Sequence, residues 1–91
     1  MLVSVTKSTN PRKKLQALFN DGRLVHFGSE GMEDYTITHN KEQRARYISR
    51  HLKDLESGDP TKPGYLAMFI LWGESTSIDK NVSEYKQLFG L

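Results

Sequence analysis

The chain has 91 residues, 36% of them apolar and 26% charged, with a formal net charge of +2 and no cysteine. Its length suits a single domain and is too short for two cores, and its composition is that of a soluble globular protein rather than a disordered or membrane one. The lack of cysteine excludes disulfides, a thiol nucleophile and zinc sites built on sulfur, and fits an intracellular compartment. So small a net charge says nothing about nucleic acid until its distribution is known.

The opening Met1-Leu2-Val3-Ser4-Val5 lacks the basic-then-apolar order of a secretory signal. Leu2 to Thr6 alternates apolar and polar residues and is rich in β-branched side chains, which predicts a strand. Lys7 to Lys14 is turn chemistry (Ser8, Asn10, Pro11) followed by the basic cluster Arg12, Lys13 and Lys14. The strongest local signal comes next: Leu15 to Phe19, the loop Asn20-Asp21-Gly22, and Arg23 to Phe27 read as a β-hairpin. A three-residue loop with Gly22 at positive φ puts Leu15, Ala17 and Phe19 on one face with Val25 and Phe27. A two-residue Asp21-Gly22 turn would pair Ala17 with His26 and split the large apolar groups between faces. The first register is expected.

After the loop Gly28-Ser29-Glu30-Gly31, Asp34 to Thr38 is expected to be a short extended segment, and Asn40 stands where a helix cap belongs. From Lys41 to about Leu55, Ala45, Ile48, Leu52 and Leu55 recur at three- and four-residue steps, predicting a helix with that stripe inward. Glu56 to Gly64, with two prolines and two glycines, is a connector. Tyr65 to Trp72 is apolar on every side and reads as a buried helix, or less readily a buried strand, stopped by Gly73. It is far shorter than the roughly 20 residues that span a bilayer. Thr76 or Ser77 caps a last helix whose stripe is Ile78, Val82, Tyr85 and Phe89, closed by Gly90. The expected fold is α+β over 1–91: a small antiparallel sheet built on the hairpin, with about three helices on one face.

Three constellations bear on function. Arg46, Arg50 and Lys53 fall within about a sixth of the first helix's circumference and form a basic ridge. With Arg12, Lys13 and Lys14 they are candidates for contact with nucleic-acid phosphates or an acidic partner, if the two clusters are adjacent. The plain alternative is a solvated charged face. Arg44 lies inside the apolar arc of the same helix and needs a partner, for which Asp34 is the candidate. His26, His39 and His51, with Asp34, are the only set from which a catalytic or metal site is available, and their spacing matches no ligand motif. No Gly-x-Ser-x-Gly or phosphate-loop pattern is present, and no cofactor is expected. Among the aromatics, Trp72 ends the buried segment beside Gly73 and is the candidate surface contact.

The blocks His26-Phe27-Gly28, Gly31, Asp34-Tyr35-Thr36, His39, Arg44, Tyr47-Ile48, Arg50-His51, Gly64, Ile70-Leu71-Trp72 and Tyr85 occur in this order. Over roughly Lys13 to Phe89 they resemble the short uncharacterised basic proteins encoded by nucleocytoplasmic large DNA viruses of algae and amoebae. That family has no established activity, so the resemblance implies a viral setting, an infected host cell or the virion, and no catalytic residues. Its members are richer in lysine and arginine and carry a Ser-Arg-Trp block where this chain has Ala67-Met68-Phe69, a departure that weakens any inference of nucleic-acid binding. The expectation is a small viral interaction protein, virion-associated or structural, that contacts viral or host proteins and no membrane. The alternatives are a nucleic-acid-binding protein and an enzyme with a His/Asp/Arg site.

Overall fold

The hairpin is where local chemistry and the core agree most directly. In the computed structural model, which describes residues 1–91, β2 (Lys13–Phe19) and β3 (Leu24–Ser29) pair antiparallel with Leu15 opposite Phe27 and Ala17 opposite Val25. The loop is the three-residue one: Phe19 N donates to Arg23 O, Gly22 N donates to Phe19 O, and Gly22 sits at φ 90. Only that register buries Ala17, Phe19 and Phe27 together. β1 (Leu2–Lys7) adds to β2, giving a three-stranded sheet in the order β1-β2-β3. A bulge between Leu2 and Ser4 returns Leu2 to the core face opposite Phe19.

Asp34 to Thr38 is not extended. The Asp34 carboxylate accepts from Thr36 N at 2.8 Å and ends up as the N-cap of a single helical turn, α1 (Tyr35–Thr38), which closes at His39 in the left-handed region. Capping by a short carboxylate outweighed the β-propensity of Tyr, Thr and Ile. Asn40 then caps α2 (Lys41–His51) through Gln43 N, and the chain tightens into a 3-10 turn over Leu52–Leu55.

The inward face of α2 differs from the expected stripe. Ala45 and Leu52 are exposed, and the half-buried side is Gln43, Arg44, Tyr47, Ile48 and His51. The helix is anchored by rings instead of aliphatic chains: Tyr47 stacks on Trp72 at 4.2 Å between centroids and on His51 at 4.0 Å.

The apolar run is a buried helix. α3 (Pro63–Leu66) continues into a π-helical stretch, Ala67–Leu71, ending with Trp72 N donating to Ala67 O. Leu66, Ile70, Leu71 and Trp72 pack with Leu2, Ala17, Phe19, Phe27 and Tyr35 as the core, so the helices cover one face of the sheet. α4 (Ile78–Phe89) is capped by Ser77 and closed by Gly90, and it contributes Tyr85 to that core. No helix is long and apolar enough to cross a membrane.

The Tyr85 hydroxyl donates to Pro60 O and ties α4 to the connector. Burial, with the Asp59 carboxylate adding to it, pushes the Tyr85 hydroxyl up from 10.0 to about 12. A raised pKa means that the folded state keeps a proton the unfolded chain has lost. This contribution is complete below pH 10.0 and disappears as pH rises toward about 12. Denaturant midpoints measured across this window should fall for the native protein more steeply than for Tyr85→Phe. Identical slopes would mean that Tyr85 does not carry the linkage.

Candidate functional site: two grooves sharing the Trp72 wall

The loop after β3, α2 and α3 enclose a polar groove of about 510 Å³. Its lining includes Lys14, Glu33, Asp34, Tyr47, Arg50 and His51, with Trp72 as one wall. On the other side of Trp72, α2, its 3-10 extension and α4 enclose a more apolar groove of about 620 Å³, lined among others by Ile48, Leu55, Met68, Phe69 and Leu88.

The ion pair expected between Arg44 and Asp34 is replaced by two separate arrangements. Asp34 is 2% exposed and pairs with Lys14, whose Nζ donates to Oδ2 at 2.6 Å, while Oδ1 accepts from the Thr36 backbone and hydroxyl. The hairpin register sets this pairing, because β2 begins opposite the end of β3 and delivers Lys14 to the start of α1. Lys14 is therefore not part of an exposed basic cluster. Arg44 is half-buried as expected, but its Nε donates to Trp72 O and Gly73 O, both at 2.9 Å, and its guanidinium lies 5.8 Å from the Tyr35 ring centre. Those carbonyls follow the π-helical stretch, beyond its helical donors, and the guanidinium supplies the donor they lack, while Asp34 is already paired with Lys14.

Trp72 is buried, at 7% exposure, and lies under Tyr47, so it is a wall rather than a surface contact. Arg12, Arg46, Arg50 and Lys53 are exposed and Lys13 half-exposed. None has a carboxylate within ion-pair distance, for the two salt bridges are Lys14 with Asp34 and Arg23 with Asp21. Lys14 and Arg50 line the same groove, whereas Arg12, Lys13, Arg46 and Lys53 do not, and Lys53 rides the tighter 3-10 turn.

The histidines separate. His26 Nδ1 meets Ser8 Oγ at 2.7 Å on the sheet, His39 is the exposed cap of α1, and only His51 lines a groove. His26, Asp34, His39 and Arg44 do not gather in one pocket. His51 Nδ1 is 2.9 Å from Tyr47 O. A carbonyl only accepts, so Nδ1 carries the proton and Nε2 is left without a protein partner. Burial pushes the Tyr47 hydroxyl above its ordinary range, with Asp54 adding to the effect and Arg50 opposing it. Sequence reasoning missed Tyr47 as the centre of the stack, although its four-residue step to His51 on one helix face was visible.

No curated protein and no solved structure matches the chain. Lys14, Asp34, Tyr47, Arg50 and His51, the polar half of the groove, all fall within residues 3–51, and over that span, more than half of the chain, the sequence matches a family of unknown function (DUF5754), to which the protein belongs.

Proposed function

We propose that this is a small interaction protein that holds an apolar partner segment in the groove between α2 and α4, and that it works in a viral setting. The setting rests on the resemblance of the motif blocks described above. The observation that carries the interaction reading is the groove itself. Its lips include Leu52 and Leu88, 55% and 64% exposed, above a floor of Ile48, Leu55, Met68 and Phe69. Covering one leucine side chain contributes about 1.5–3 kcal/mol at most, so two such lips and an apolar floor favour an occupant with several apolar side chains in a row.

The rim decides its charge. Glu74 and Glu84 line the groove, are exposed and have no ion-pair partner, whereas the Nε of the one basic lining residue, Arg44, is engaged by backbone carbonyls. An amphipathic helix with apolar residues at i, i+3, i+4 and i+7 and lysines at its flanks fits this combination. A lysine-flanked, leucine-containing peptide of that pattern should shift the NMR signals of Leu52, Leu55, Phe69 and Leu88. Binding should weaken roughly tenfold with Leu88→Asp and when glutamates replace the flanking lysines. No shifts at millimolar peptide would sink this reading.

A second reading, contact with nucleic-acid phosphates, is favoured by the exposed and unpaired Arg12, Arg46, Arg50 and Lys53. Its signature is an affinity for DNA or RNA that falls steeply with salt and vanishes on charge reversal at Arg46 and Arg50.

A further inference from the structure

We propose that the polar groove is a binding site for a small organic phosphate, distinct from the apolar groove and from any extended polyanion surface. Its volume of about 510 Å³ lies in the range of small-ligand sites. Three groups of suitable chemistry line it from two elements: Lys14 from β2, Arg50 and His51 from α2.

Each group has capacity to spare. Lys14 Nζ uses one donor on Asp34, which leaves two of its three N–H groups. Arg50 is exposed and has no carboxylate partner. His51 Nδ1 is engaged by Tyr47 O, which leaves Nε2 to hydrogen-bond with a phosphate. An ammonium and a guanidinium on two elements, with an imidazole beside them, suit the three terminal oxygens of a tetrahedral oxyanion better than the two of a planar carboxylate.

Lys14 and Asp34 neutralise one another, so Lys14 offers a phosphate its remaining hydrogen bonds and Arg50 is the lining cation whose charge is unpaired, while Glu33 is exposed and its charge is screened by solvent. The remaining lining explains why the phosphate should be organic. Tyr47, Pro63, Ala67, Leu71 and Trp72 give an apolar and aromatic wall beside the basic groups. A ring or short hydrocarbon attached to the phosphate would lie against it.

The sole tryptophan, Trp72, is in this wall and reports occupancy. The probes are phenyl phosphate, inorganic phosphate, benzoate and a single-stranded oligonucleotide, followed by Trp72 fluorescence and by NMR of the Gly28, Gly31 and Gly64 amides, which also border the groove. Phenyl phosphate should saturate both signals more tightly than inorganic phosphate or benzoate. Arg50→Ala, a change at an exposed residue that leaves the core alone, should weaken it roughly tenfold, and Arg46→Ala should not.

No saturation with phenyl phosphate, equal binding by Arg50→Ala, or benzoate binding as tightly would each overturn the proposal. So would an oligonucleotide alone producing the shifts, with equal losses for Arg46→Ala and Arg50→Ala, since that result belongs to a phosphate-backbone surface. The apolar-groove reading stands or falls separately, because its peptide shifts are read at Leu52, Leu55 and Leu88 on the other side of Trp72.

Discussion

Asp34→Ala should lower the unfolding free energy by about 3–5 kcal/mol, because it leaves the buried ammonium of Lys14 without its counter-charge. It also removes the cap of α1. The Lys14 side chain is only 13% exposed, so water screens this pair far less than it screens Arg23 with Asp21 on the hairpin loop. Asp34→Asn should cost less than alanine, since an asparagine oxygen still caps Thr36 N. The double variant Asp34→Ala with Lys14→Met should recover much of the loss, because no charge is then buried alone. Chemical denaturation of the native protein, Asp34→Ala, Lys14→Met and the double variant measures this cycle. If Lys14→Met did not offset Asp34→Ala at all, the two side chains would not be coupled in the way their geometry implies.

The second large effect is expected at Asn81, which is 1% exposed on α4. Its Nδ2 donates to Ile70 O at 2.8 Å and to Ser75 O at 2.7 Å, while its Oδ1 accepts from Ser75 N at 3.0 Å. One side chain thus satisfies the end of the π-helical stretch and the turn that follows it. Asn81→Leu keeps the branched shape, though not the volume, and strands these groups, each at about 1–3 kcal/mol where water cannot replace the lost bond, so a total of at least about 3 kcal/mol is expected.

Gly73 makes the same point from the opposite wall. A Cβ there would lie 2.3 Å from Phe69 O and 2.7 Å from Asn81 Cγ, and both are fixed. Gly73→Ala should therefore unfold the protein at a lower denaturant concentration, in step with Asn81→Leu, and the double variant should be less than additive. A loss below about 1 kcal/mol for Asn81→Leu would indicate that solvent reaches Ile70 O after all.

These two sites also mark where sequence reading stopped. The hairpin register was legible because period-two patterning and a glycine at the third loop position leave one arrangement that buries Leu15, Ala17, Phe19, Val25 and Phe27 together. The caps at Asn40, Ser77 and Gly90 were legible for a similar reason: a cap is a contact between residues two to four apart, and its chemistry is written locally. Asp34 failed the same kind of reading because its neighbours Tyr, Thr and Ile favour strands, and the capping hydrogen bonds of one side chain were enough to reverse them.

The inward face of α2 failed for a different reason. Periodicity alone selected Ala45 and Leu52, but the side of a helix that is buried is set by what it packs on. Here that surface is the Trp72 ring and the carbonyls of Trp72 and Gly73, which call for Tyr47 and Arg44.

By itself, then, the sequence determined the α+β class, the strand pairing of the hairpin, the longer helical spans with their caps at Asn40, Ser77 and Gly90, and the exposure of Arg46 and Arg50. Each depends on residues close in the chain or on a simple period. Only the tertiary structure decided that Lys14 and not Arg44 neutralises Asp34, that Trp72 is a buried wall between two grooves, and that Lys14, Arg50 and His51 border one cavity. Those partners lie on separate elements, 20 to 29 residues apart in the two hydrogen-bonded cases. Charge and hydrogen-bond capacity say that a buried ionic group must find a partner, and the geometry of packing selects which one.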